Sequence, residues 1–393
     1  MIFRTLQFSL ILIVTSLLFY SCSDSPSSIG SQFISQDEIS VLQIDSFTDS
    51  LPQYSYSFKS VYKFGDSKYN FVGKRNGVTA KSLIKLTFTN LPDSMILDLD
   101  EDSLTVISAK LTLYKSYIFG DNTAPFDFDI FEILEDWNSA SFTVDSLAGF
   151  SIGTSSLILE KNETDSTFEV SFNTDISQQW LNAILAASSE ENNGFILIPS
   201  DGAEKIVGFE AFNTSTNKFP KIQLEVTKTG FYVDTVESVL FGDVSVIEGE
   251  IPSVDADKLV VQAGNAVHAF LHFDISAVPE GAVINDAILT LSKDTAGSEA
   301  GSVFDNVLAV YSATDSVTKS FDSSFAIILA PSGNQYVGDV TDFTRQWNFT
   351  RNNNGLVITA GSPLNGLELF ALYGSNAPDS LKPRLQIVYS RVK

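Results

Sequence analysis

Two halves of this chain carry the same phrases in the same order, which constrains its fold more than any other feature. Leu83 to Pro92 corresponds to Phe270 to Pro279, Ala109 to Leu113 corresponds to Ala287 to Leu291, and Asp175 to Trp180 corresponds to Asp342 to Trp347. The last pair leads in each half to Asn-Gly (Asn193-Gly194, Asn354-Gly355) and an apolar strand, and the halves close alike on Pro220 to Leu224 and Pro383 to Ile387. Four segments recurring in order, with only insertions between them, make the unit a whole domain rather than a short solenoid repeat.

Within each unit the dominant hydrophobic period is two. From Val267 to Asp274 the odd positions are apolar, while His268, His272 and Asp274 share the other face, read as solvated. That is the alternation of a half-buried strand. Similar short strands recur between clusters of Pro, Gly, Asn, Asp and Ser, so the predicted fold class is all-β: two tandem antiparallel jelly-roll β-sandwich domains. Each has one short helix, with Thr174 and Thr341 as expected N-caps. Ile176 with Trp180, and Phe343 with Trp347, stand four apart on one helical face, which assigns both tryptophans to the core. The division falls at Thr227 to Gly230, giving domain 1 at 35–228 and domain 2 at 229–393.

The amino terminus sets the expected address. Met1 to Ser21 has Arg4 followed by an apolar run too short to span a bilayer, the order of a signal peptide. Cys22 is the only cysteine, so no internal disulfide forms. Phe19 to Cys22 resembles a bacterial lipobox, which implies lipidation of Cys22 and a polar tether over 22–34; Ser23 in place of an aspartate favours the outer membrane or cell surface. The alternative is an ordinary cleaved signal with an incidental cysteine.

Acidic residues outnumber basic ones 48 to 24, and removing Arg4 with the signal takes the formal charge from −24 to −25. Such a field repels phosphate backbones, which argues against nucleic acid as a partner.

The recurring strand-turn phrases, the Asp-to-Trp helices, the Asn-Gly strands and the closing Pro-Lys/Arg strands resemble the DNRLRE-type family of secreted bacterial modules, and are similar to carbohydrate-binding modules of β-sandwich fold. The six-letter stretch behind that name is absent, and the arginine usual in the first phrase is Lys85 or His272. The resemblance implies a β-sandwich with a non-catalytic binding role.

Four local motifs invite a more specific chemistry. Gly149 to Gly153 satisfies G-x-S-x-G, but a strand follows Ser151 and both histidines lie in the other half, so no base activates the serine. His268, His272 and Asp274 line one strand face, yet positions four apart on a strand are about 13 Å apart, too far for two imidazoles to share a zinc ion. Asp98, Asp100 and Asp102 begin like a calcium loop, but Ser103 stands where glycine is needed and Ala109 where the closing glutamate belongs. A looser structural calcium site there, with no other cofactor, stays open beside a solvated acidic loop. Trp137 has no aromatic counterpart in the second half and sits between Asp136 and Asn138 in a polar stretch, where a ring can stack on a sugar. The expected protein is therefore a surface-anchored lipoprotein, not an enzyme, binding extracellular polysaccharide; the alternative is a structural or assembly component contacting a cell-surface protein.

Overall fold

The computed structural model describes residues 39–49, 51–212 and 217–392. The signal peptide, Cys22 and the tether lie outside these residues. No helix among the described residues is long and apolar enough to cross a membrane.

The chain folds as two antiparallel β-sandwiches. Its strands are β1 (Ile39–Asp45), β2 (Gln53–Lys59), β3 (Tyr69–Arg75), β4 (Val78–Thr87), β5 (Thr105–Phe119), β6 (Phe128–Glu132), β7 (Ile158–Glu163) and β8 (Thr167–Phe172). Next come β9 (Phe195–Pro199), β10 (Ile206–Glu210), β11 (Lys221–Lys228), β12 (Tyr232–Glu237), β13 (Val239–Glu248), β14 (Lys258–Gln262), β15 (Val267–Phe273) and β16 (Val283–Ser292). The rest are β17 (Leu308–Asp315), β18 (Ser320–Phe321), β19 (Ile327–Ser332), β20 (Gln335–Asp339), β21 (Leu356–Ala360), β22 (Leu369–Tyr373) and β23 (Arg384–Val392). Helices are α1 (Asp93–Asp100), α2 (Thr174–Asn182) and α3 (Thr341–Thr350).

The first sandwich stacks β12-β11-β5-β8-β7 on β10-β3-β4-β9-β6, with β13 along the other edge of β4. The second stacks β1-β23-β16-β20-β19 on β22-β14-β15-β21-β17, with β2 along the other edge of β15. The two lists match strand for strand, and in each the inward alternation closes a hydrophobic core. In that matching β1 and β2 stand where β12 and β13 stand, although β1 and β2 open the first sequence copy. Each copy thus gives its first two strands to the other sandwich. Ile39 to Asp45 pairs with Gln386 to Val392, and Gln53 to Lys59 pairs with β15, while β13 pairs with β4.

The serines on these strands repeat one device. Ser57 Oγ accepts from Val260 N–H at 2.8 Å, and Ser245 Oγ accepts from Phe71 N–H at 2.9 Å. The division expected between 228 and 229 therefore does not follow the strand pairing: the first sandwich is continuous from β3 to β13, and the second is β14 to β23 closed by β1 and β2. Sequence order reports which segments are alike, not which strands they pair with. Both crossings are tied at Asn265, which is 1% exposed. Its amide donates to Glu250 O at 3.0 Å and its Oδ1 accepts from Lys59 Nζ at 3.0 Å.

Two local expectations need correction. The acidic insertion is helical at Asp93–Asp100, because Met95 and Leu99, four apart, bury one face in the first core. The N-cap of α2 is Asn173, whose side chain accepts from Asp175 N–H at 2.8 Å. The cap residue of α3 is Val340; Thr341 Oγ1 instead accepts from Ala287 N–H at 2.8 Å, pinning the helix to β16.

The sandwiches meet across a seam built by β5 and the segment 299–302. Ser302 N–H donates to Ile118 O at 2.8 Å, and a Cβ at Gly301 would lie 2.3 Å from the Tyr117 hydroxyl. That hydroxyl accepts from Leu367 N–H at 2.9 Å and donates to Glu368 Oε1 at 3.2 Å. Arg75 pairs with Glu299 at 2.8 Å at the rim. Glu368 is 4% exposed. Burial pushes its carboxyl up to about 7; its own backbone N–H and Tyr117 act in the opposite direction, and Asp305 adds to the rise. An acid whose folded pKa exceeds its unfolded value stabilises the fold fully below the unfolded pKa of about 4.5, and that contribution is lost as pH climbs toward 7. The gap corresponds to about 3 kcal/mol. Urea titrations from pH 4.5 to 7.5 should show the wild type losing up to about 3 kcal/mol relative to Glu368→Gln. A stability difference independent of pH would show that the carboxyl is ionised in the seam throughout.

Candidate functional site

A groove opens at the helix end of each sandwich, and the same local parts build both. In the first, Asn192 Nδ2 donates to Leu86 O at 2.7 Å while its Oδ1 accepts from Gly194 N–H at 3.1 Å. In the second, Asn353 Nδ2 donates to Phe273 O at 2.7 Å and its Oδ1 accepts from Gly355 N–H at 3.0 Å. Gly194 has φ 81° and a Cβ there would lie 2.2 Å from Ile84 O, so the turn needs glycine. The structural asparagine is thus the one two places before the glycine, not the Asn-Gly residue itself.

The first groove encloses about 490 Å³ among Lys85 to Thr87, Asp136, Trp180, Ala183, Ile184, Glu190 to Asn193, and Phe241. Phe241 is 70% exposed. It is the extra residue of a bulge, since Leu240 pairs with Leu86 and Gly242 with Lys85, and the bulge turns its ring out of the ladder. Lys85 Nζ lies 5.7 Å from that ring centroid and 2.9 Å from Asp136 Oδ1. The Lys85 ammonium, by hydrogen bond and by charge, holds the Asp136 carboxyl below the usual carboxylate range, with help from Trp137 N–H.

Of the sequence-predicted trio, only Asp136 lines this groove. Trp137 is half-buried beneath it, donating Nε1–H to Asn193 O at 2.8 Å and meeting Phe142 edge-on at 6.1 Å. Its ring supports the wall, while Asn138 turns into its own loop and accepts from Ala140 N–H at 2.9 Å. The exposed ring is Phe241, which sequence reasoning missed because β13 was assigned to the other domain.

The second groove, about 370 Å³, lies between Ser312 to Thr314, Asp322, Phe325, Phe343, Gln346, Trp347, Thr350, Asn352 and Asn354. Phe325 is 51% exposed and meets Phe343 edge-on at 5.6 Å. Trp347 Nε1–H reaches Ser312 Oγ at 3.2 Å, and Asn354 Nδ2 donates to Thr314 O at 2.8 Å. The Gln346 and Asn352 amides and the Asp322 carboxylate also face this groove.

The remaining sequence candidates sit elsewhere. On α1, Asp98 and Asp100 fall two apart and point to different sides of the helix. Asp98 accepts from Lys228 Nζ at 2.5 Å and from the Tyr232 hydroxyl at 2.7 Å, and Asp102 lies beyond the helix end with φ 53°. Among the described residues, no group of three or more His, Cys, Asp or Glu side chains is placed to hold a metal ion. Ser151 lies in an exposed loop, its N–H on Glu135 Oε1 at 2.6 Å.

The face assigned to solvent on β15 is covered instead. His268 is 1% exposed under Phe58, Tyr62 and Phe321, and burial pushes its pKa down to about 4. Tyr54, Tyr56 and Phe58 come from β2, so sequence proximity gave no sign of this cover. Tyr54, 47% exposed on the edge strand, stacks face to face on His272 at 4.9 Å, so one face of its ring is taken up by packing.

No family model and no curated protein sequence matches the chain. Among solved structures it has a likeness to the C-terminal domain of the Streptococcus agalactiae AgI/II polypeptide BspA, at 8% identity over 87% of this chain and 92% of that one, with a TM-score of 0.19. A structure of the Gt strain of infectious bursal disease virus follows at 10% identity, 87% and 77% coverage and a TM-score of 0.11. At such scores neither likeness decides anything about this chain.

Proposed function

We propose that the protein is a non-catalytic glycan-binding module held at the outer membrane or cell surface through Cys22. The observation that carries the reading is a groove beside the Asn-x-Gly turn and the Trp helix of each sandwich, each with an exposed phenylalanine, from β13 in the first and from the segment before β19 in the second, beside amides and a carboxylate. An apolar ring can stack on a pyranose face while amides and carboxylates bond its hydroxyls, and both volumes fall within the roughly 300–1,000 Å³ of small-ligand clefts. Neutral polysaccharide suits the site best, because the −24 charge of the chain repels an anionic one. The resemblance of the repeats to secreted DNRLRE-type modules supports the same reading.

Calorimetry of the full mature chain against a polysaccharide panel tests it. Phe241→Ala and Phe325→Ala should each weaken binding about tenfold or more, the loss expected when one stacked ring worth about 1.4 kcal/mol is removed. Because both rings are largely exposed, melting should shift by no more than about 0.5 kcal/mol equivalent. Binding indifferent to both substitutions would move the site elsewhere, and no binding across the panel would end the glycan reading. Cys22→Ser should release the protein from the membrane fraction without altering its melting; a variant still pelleting after high-salt washing would remove the anchor.

A further inference from the structure

Phe349 on α3 is 89% exposed, and Val283 across from it is 63% exposed. They flank a cleft of about 480 Å³, separate from both grooves, lined by Glu280 to Ile284, Arg345, Asn348, Phe349 and Arg351. Arg345 Nε–H donates to Ile284 O at 2.9 Å and Arg351 Nη1–H donates to Asn348 Oδ1 at 3.1 Å. These bonds orient the two guanidiniums and leave further N–H donors for a ligand. The opposing carboxylates are Glu280 in the cleft and Asp342, 3.5 Å from Arg345. Arg351 also has φ 57°, a left-handed conformation that a non-glycine residue holds only under strain.

The first sandwich carries its own cover at the corresponding bend. There the chain between Leu91 and Leu104 inserts α1, whose Met95 and Leu99 are buried at 5% and 2% in one core with Ile176, Trp180 and Leu104. Between them Asp98 reaches Lys228. In the second copy the chain passes directly from Pro279 to Val283, so the matching bend lacks the helix, and Arg345 stands there where the first copy has Gln178, with Arg351 at the end of α3. We propose that this cleft docks a short amphipathic helix of a partner protein, with two apolar residues four apart and a carboxylate between them meeting Arg345 or Arg351. The protein would then join an assembly through its second sandwich whatever its grooves bind.

A hydrocarbon-stapled, fluorescent peptide with the sequence Asp93 to Glu101 serves as the probe, titrated against the full mature chain carrying Cys22→Ser. Saturable binding is expected, weakened at least tenfold by Phe349→Ser, by Arg351→Gly, and by serine at both apolar positions of the peptide. Arg351→Gly should hold or raise the melting temperature, since glycine accepts φ 57° freely. Phe349→Ser should leave polysaccharide binding unchanged, which separates this cleft from the grooves. Failure to saturate by about 1 mM peptide overturns the proposal. So does equal binding by Phe349→Ser and wild type, the outcome if the peptide displaces α1 from the first sandwich.

Discussion

Residues 229–393 expressed alone should fail to unfold cooperatively, whereas residues 251–392 joined by a short turn to 39–60 should fold. The first segment keeps β12 and β13, which belong to the other sandwich, and lacks β1 and β2. Without them β15 and β23 expose unpaired edges, and Ile44 and Leu51 leave the second core. The rearranged chain is feasible because Ile39 pairs with Val392, so the two ends already lie side by side. Residues 62–250 should fold as well, since they contain every strand from β3 to β13. Adding a peptide of residues 39–59 to 229–393 should restore part of the missing near-ultraviolet dichroism. Cooperative unfolding of unaided 229–393 would mean that β12 and β13 can serve its own sandwich, and that the exchange is not needed for folding.

Trp347→Ala should cost about 3–5 kcal/mol, as removal of a large buried ring does when the core cannot collapse around the space. Trp347 is 3% exposed and Trp180 is 2% exposed, both inside their respective cores. The two differ in one respect that phenylalanine substitutions can read. Trp347 Nε1–H has Ser312 Oγ at 3.2 Å, while Trp180 Nε1–H is buried with no acceptor among the described residues and its ring stacks on Phe195 at 5.9 Å. An unpaired buried donor costs about 1–3 kcal/mol, so Trp180→Phe recovers that cost against its loss of volume. Denaturant titration should therefore rank Trp180→Phe as the milder change, within about 1 kcal/mol of wild type. The reverse ranking would mean that the Trp180 indole N–H finds an acceptor in solution, and a small effect of Trp347→Ala would mean that its ring does not fill the second core.

The strand alternation and the paired Asp-to-Trp helices were legible because both depend on neighbours in sequence. Period two places Leu271 and Phe273 inward whichever strand lies alongside, and Phe343 with Trp347 need only one helical turn. What was not legible depends on partners chosen at long range. Phe241 reaches Asp136 only through the exchange, and the burial of His268 depends on Phe58 and Tyr62 arriving beside it. α1 was misread for a different reason. Carboxylates at alternate positions suggested a metal loop, while Met95 and Leu99 four apart already carried the helical signal.

The pairing of β1 with β23 also sets a timetable. The strands closest to the amino terminus emerge first from any ribosome or export channel, yet their edge on the second sandwich is not complete until Val392 has followed. Residues 39–59 must wait unpaired while the first sandwich assembles behind them, and closing so long a loop makes this a late and slow event. A chain stopped after β13 has the strands of the first sandwich and a bare leading segment whose β2 carries alternating aromatic residues. Residues 39–59 are covered only as the second sandwich forms: β2 waits for β15, and β1 waits for β23 as far as Val392.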